Sequence, residues 1–86
     1  MITVKRFSAS WCQPCKILAP LFLELESEYP NVIFETIDVD TNIQEVKNYV
    51  IVSVPTVIIE KNGELVRRFA GAKPKSEYTK VINSLI

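Results

Sequence analysis

Cys12 and Cys15 stand two residues apart, where an apolar strand pattern meets a helix with one apolar face. That junction constrains the chain more than any other stretch. A Cys-x-x-Cys spacing fits the first turn of a helix, where the leading sulfur meets unpaired N–H groups and the positive end of the helix dipole. Both favour thiolate, the form that attacks disulfides. Pro14 lacks an N–H and costs little in that turn. The plainer readings are two small buried hydrophobes or half of a metal site. With no histidine and no third cysteine, a four-ligand zinc site would have to be shared between two chains. The thiol physics therefore points to reversible dithiol–disulfide exchange.

The strands and helices follow in order from this junction. Ile2 to Phe7 reads as a strand, unusually polar at Thr3, Lys5 and Arg6 for the centre of a covered sheet. A helix is expected from Gln13 or Pro14 to about Tyr29. Its apolar face is Ile17, Leu18, Leu21, Phe22 and Leu25, with a kink at Pro20. Val32 to Val39 is a second strand, parallel to the first across a helical crossover. Thr41 with Gln44 matches a capping box, opening a short helix that buries Ile43, Val46 and Val50. Thr56 to Glu60 and Leu65 to Phe69 form a hairpin about Asn62-Gly63, with Gly63 as the positive-φ turn residue. Pro74 precedes a last helix striped by Tyr78, Val81, Ile82 and Leu85.

Composition excludes several function classes. Ten basic and ten acidic residues cancel, so no polybasic surface invites nucleic acid or anionic lipid. With 48% apolar and 23% charged residues the chain is an ordinary globular one, and its 86 residues make a single domain, 1–86. The opening Met1-Ile2-Thr3-Val4-Lys5-Arg6 has no apolar leader core, and no apolar run approaches a membrane span. The expectation is a soluble cytoplasmic protein. There, close cysteines are more often catalytic or metal-binding than structural.

Trp11-Cys12-Gln13-Pro14-Cys15-Lys16, followed by Ile17-Leu18-Ala19-Pro20, resembles the active-site segment of the thioredoxin family. The similarity continues through Val54-Pro55-Thr56, Lys61-Asn62-Gly63 and Gly71-Ala72, over nearly the whole chain. It implies a thioredoxin-like α/β fold in minimal form. Four strands in the order 2-1-3-4, with strands 3 and 4 antiparallel to the rest, would be flanked by three helices. The N-terminal strand and helix of full-length members would be missing, leaving one face thinly covered. Very short members also occur in phages, so a host cytoplasm is a further expectation.

The resemblance assigns roles. Cys12 would be the nucleophile and Cys15 the resolving thiol, with Trp11 as an apolar rim rather than core. Val54-Pro55 would be a cis peptide whose residue 54 backbone pairs with a substrate strand, although a strand-start proline also fits a plain edge position. Gly71 is either a strand-end turn or a place of close substrate approach. Four positions depart from the family pattern: Arg6 replaces an aspartate, Thr36 a lysine, Ser8 a tryptophan and Gln13 a glycine. Gln13, Pro14 and Arg6 are thus candidate tuning residues. Arg6 would either place a cation beneath the helix or run its apolar stem out to solvent.

The implied activity is reduction of protein disulfides. Its partners would be disulfide-containing proteins and a thioredoxin-reductase-like electron donor, acting on a monomer without cofactor or metal. Two rivals stand beside this reading. One is a glutathione-coupled glutaredoxin-like protein, against which Trp11 and the tyrosine-free Gln13-Pro14 pair argue. The other is a binding module whose redox activity is incidental.

Overall fold

The computed structural model describes residues Met1–Ile86. The elements run β1 (Ile2–Ser8), α1 (Gln13–Glu28), β2 (Ile33–Asp38), α2 (Ile43–Asn48), β3 (Thr56–Lys61), β4 (Glu64–Ala70) and α3 (Lys75–Leu85). One four-stranded sheet has the order β2-β1-β3-β4. β2 is parallel to β1, as a helical crossover requires, and β3 is antiparallel to β1. β4 is antiparallel to β3, so it runs with β1 and β2. Only β3 therefore opposes the others, which corrects the expectation that strands 3 and 4 both do. The hairpin turn requires left-handed backbone at two positions, and Asn62 (φ 53°) and Gly63 (φ 84°) supply it.

The sheet has two unlike faces. On one, Ile2, Val4, Val57, Ile59 and Phe69 pack against Leu18, Phe22 and Leu25 of α1 and Tyr78 and Ile82 of α3. Tyr78 is central to this core, with its ring 5.2 Å from Phe22 and 5.0 Å from Phe69. β3 is the spine of the sheet, with Thr56 to Glu60 all buried. On the other face Phe7, Ile37 and Ile58 make a smaller core with Val46, Tyr49 and Ile51.

Beyond that smaller core the second face is polar rather than bare. Lys5 donates to the Tyr49 hydroxyl at 2.8 Å, which donates to Glu60 Oε2 at 2.6 Å. Glu60 and Glu45 also lie 3.8 and 3.5 Å from the Lys5 amine. Burial opposes the Lys5 charge. The Tyr49 hydroxyl and the two carboxylates outweigh it and hold the amine above its ordinary range. Lys5 of β1 thus has structural partners on this face.

Three helix assignments need correction. Ile17 is 68% exposed, and Cys15 joins Leu18, Phe22 and Leu25 on the buried stripe of α1 instead. The capping box does not form. Asn42 is the cap residue of α2, and its side chain donates back to the Asp38 carbonyl at 2.9 Å. Ile43 and Val50 are exposed, because α2 ends at Asn48 and Val50 adopts left-handed backbone (φ 52°) that turns it outward. Tyr49 and Ile51 fill that space. Pro20 lies inside α1, which continues through it to Glu28.

Burial pushes the Tyr78 hydroxyl above its ordinary value, and Lys73 N–H donating at 3.0 Å only partly opposes this. A group whose folded value is raised stabilises the fold fully below its unfolded value, about 10 for tyrosine, and less as pH rises through the folded value. Denaturant stability should therefore decline as pH climbs past about 10. Tyr78→Phe should make that decline shallower. At neutral pH the same variant should lose about 1–3 kcal/mol, because the Lys73 N–H is left without its acceptor. An unchanged alkaline slope would contradict the assignment.

Candidate functional site

β1 ends at Ser8 and α1 starts at Gln13, so residues 9–12 turn the chain from the sheet into the helix. The Cys12 N–H donates to the Ala9 carbonyl at 3.2 Å, closing this turn. Cys12 is the N-cap of α1, with extended backbone (φ −95°, ψ 110°), and its Sγ accepts the Cys15 N–H at 3.2 Å. The sulfur thus occupies the place where a cap oxygen ordinarily accepts an orphan N–H. Pro14 sits in the first turn and Gln13 beside it is exposed. Cys12 and Cys15 form a disulfide, with Cα atoms 5.3 Å apart.

Both cysteines are buried, at 5% and 2% exposure, so burial hardly distinguishes them. Their surroundings do. Ala9, Cys12 and Cys15 form a small apolar cluster against Val39 and Val54. Val54 precedes Pro55 across a cis peptide bond. The Gly71 N–H donates to the Pro55 carbonyl at 2.8 Å, and Gly71 takes φ 83°, a value that glycine adopts freely. Cys12, Val54, Pro55 and Gly71, far apart in sequence, therefore converge at one end of the sheet.

Trp11 is 67% exposed and is no part of the core. Its indole N–H donates to Asp40 Oδ2 at 3.0 Å. With Val39, Ile51, Val52, Ser53 and Val54 it lines a shallow apolar groove of about 150 Å³. Asp40 and the Val39–Ile51–Val52 wall were not anticipated. Nothing in their local pattern marks them, because the β2–α2 turn and the loop before β3 meet only in the folded chain.

On the other side of the disulfide, Cys15 lines a cavity of about 310 Å³ with Arg6, Ser8, Ala9, Ser10, Lys16, Ala19, Thr36 and Asp38. Cys12 does not reach it. Three of the four departures from the family pattern, Arg6, Ser8 and Thr36, thus share one cavity. Part of this was legible, since period two on β1 places Arg6 and Ser8 on one face. Arg6 does what neither sequence expectation fully described. Its guanidinium lies 5.3 Å from the Phe22 ring centre, and Nη2 donates to Thr36 Oγ1 at 3.0 Å on the neighbouring strand. Nε is enclosed without an acceptor. Burial pushes the guanidinium below its ordinary value, while Glu26 opposes the shift.

In the disulfide form the cap N–H is offered to the first sulfur. No group of histidine, cysteine, aspartate and glutamate is placed to hold a metal ion. No helix is long and apolar enough to cross a membrane.

The thioredoxin family model matches residues 1–84. The chain is 37% identical to a thioredoxin of Mycobacterium tuberculosis over 81 residues, covering 93% of this chain and 70% of that protein. It is 42% identical over 77 residues to thioredoxin H4-1 of Oryza sativa, covering 88% of this chain but only 59% of the rice protein. Among solved structures, the reduced thioredoxin pre-protein of Schistosoma mansoni superposes with a TM-score of 0.91 at 40% identity, covering 99% of this chain and 79% of that one.

The cap geometry implies unequal thiols. After reduction, iodoacetamide should label Cys12 before Cys15, because Cys12 Sγ receives the helix N–H, which favours its thiolate. Peptide mapping at partial alkylation reads the order, and faster labelling of Cys15 would overturn it.

Proposed function

The chain belongs to the thioredoxin family, and on that premise we propose that it reduces disulfide bonds in protein substrates. The observation that carries this reading is the cap position of Cys12, its Sγ accepting the Cys15 N–H beside Val54 and an exposed Trp11. Cys12 thiolate attacks one sulfur of a substrate disulfide. The other substrate sulfur leaves as thiolate and takes a proton, and a mixed disulfide with Cys12 remains. Cys15, as thiolate, then attacks Cys12 Sγ and releases the second substrate thiol. The substrate gains two electrons and two protons, and the protein ends as the Cys12–Cys15 disulfide.

The backbone of residue 54 pairs with an extended substrate segment, and Trp11 and Gly71 flank it. Pro14 and Gln13 adjust the first turn of α1. Arg6 adjusts Cys15 by placing a cation in the same cavity. A thioredoxin-reductase-like donor restores the dithiol, and the protein works as a monomer in a reducing compartment such as the cytoplasm, where such a donor keeps dithiols reduced.

Insulin should be reduced and precipitate in the presence of dithiothreitol and the wild-type protein. The Cys12→Ser variant should be inactive, and Cys15→Ser should accumulate mixed disulfides with substrates. Absence of insulin reduction by the folded wild type would leave only a binding module. Turnover with glutathione and its reductase in place of dithiothreitol would favour the glutaredoxin-like rival. For the tuning role, Arg6→Met should raise the Cys15 thiol pKa and make the potential more negative, by about 30 mV per 1.4 kcal/mol of lost thiolate stabilisation. Unchanged titration and potential would remove Arg6 from the mechanism.

A further inference from the structure

The cavity beside Cys15 carries a surplus of hydrogen-bond donors. Arg6 has no carboxylate within 4 Å, the acidic residues that form ion pairs being Glu45, Glu60 and Glu28 with Lys5 and Lys75. One Arg6 nitrogen is spent on Thr36 and another is enclosed without an acceptor. Lys16 adds a second cation to the wall, and Ser8, Ser10 and Thr36 add three hydroxyls. The single carboxylate on the wall is Asp38, whose Oδ1 already accepts the Asp40 N–H at 2.9 Å. An incompletely paired guanidinium is costly to keep half-buried. A planar guanidinium also matches carboxylate and phosphate geometry better than an amine does.

From this imbalance we infer that the cavity is a binding site for a small oxyanion, carboxylate or phosphate, held by Arg6 with Lys16 and the neighbouring hydroxyls. Its volume of about 310 Å³ stands at the lower end of small-molecule sites, so the ligand is compact. The position of the site gives it a consequence. An anion there screens Arg6 and repels a Cys15 thiolate, so it binds the disulfide form more tightly than a dithiol form in which Cys15 is ionised. By linkage, occupancy then favours the disulfide to the same degree. The binding itself is independent of the proposed reductase activity, whereas the coupling rests on it.

The test titrates oxidised, ¹⁵N-labelled protein with sodium phosphate and, separately, sodium succinate, with ionic strength held constant by sodium chloride. Either probe should produce saturable shifts in the amides of Arg6, Ser8, Lys16 and Thr36. The probe that saturates at the lower concentration identifies the preferred anion class. Arg6→Met should weaken binding by roughly tenfold or more, the loss of one charged hydrogen-bonding partner. Ser8→Leu, which fills the cavity and keeps the charge, should weaken it too and decides the matter should Arg6→Met not fold. Shifts that do not saturate with either probe, or equal affinity in both variants and wild type, overturn the site.

The second measurement is the Cys12–Cys15 potential with and without the bound probe. A tenfold preference for the disulfide form should make it more negative by about 30 mV in wild type and leave Arg6→Met unmoved. A potential indifferent to a bound anion overturns the coupling. Failure of insulin reduction bears on the reductase reading alone.

Discussion

The Cys15 N–H donates to Cys12 Sγ at 3.2 Å, so a sulfur stands where helix α1 needs an acceptor. Much of the redox end follows from that one contact. It marks the helix start after the four residues 9–12 that follow β1, on the side of the sheet where α1 can bury Leu18, Phe22 and Leu25. It also leaves both cysteines in a cluster that packs on Val54, with the second lining the cavity that Arg6 shares. In the proposed reaction the same N–H that caps the helix would stabilise negative charge on Cys12 when the disulfide opens. Folding and chemistry thus use one hydrogen bond.

The two cysteines acquire different partners because a helix turn and a sheet edge meet between them. Toward Cys12 the surroundings are apolar: Val39, Val54 and the exposed indole of Trp11. Toward Cys15 they are polar and cationic. That asymmetry divides the proposed work, with attack on one side and resolution on the other. It also explains how three replacements scattered over two strands act together. Arg6 and Thr36 are direct partners in the β1–β2 register, as are Ser8 and Asp38, so strand pairing gathers them into one wall.

The opposite face of the sheet shows how a small domain can stay folded with a light covering. α2 has no buried residue of its own, and Phe7, Ile37 and Ile58 supply the core beneath it. Further along, Lys5, Tyr49 and Glu60 satisfy one another. Removing one member would leave a half-buried polar group unpaired, which is why such a network stabilises only as a complete set. The polar character of β1 looked anomalous for a central strand. One face of β1 carries Ile2 and Val4 with Arg6 at its cysteine end, and the other carries the paired Lys5 beside buried Phe7.

Periodicity and punctuation in the sequence determined the element order, the start of α1 at the cysteine pair, the Asn62-Gly63 hairpin and the α3 stripe. These depend on backbone geometry within a few residues, and local sequence encodes that directly. Tertiary structure decided the rest. Val50 reads as apolar and buried, yet the end of α2 turns it outward and gives its place to Tyr49 and Ile51. Ile17 fits a helical stripe, but α1 turns Cys15, Leu18, Phe22 and Leu25 to the sheet and leaves Ile17 exposed. The meeting of Cys12 with Val54, Pro55 and Gly71 likewise comes from pairing between segments distant in sequence. So does the cavity around Arg6. A side chain's partners across a sheet are set by register and crossover, and neither is a property of the stretch of chain that carries it.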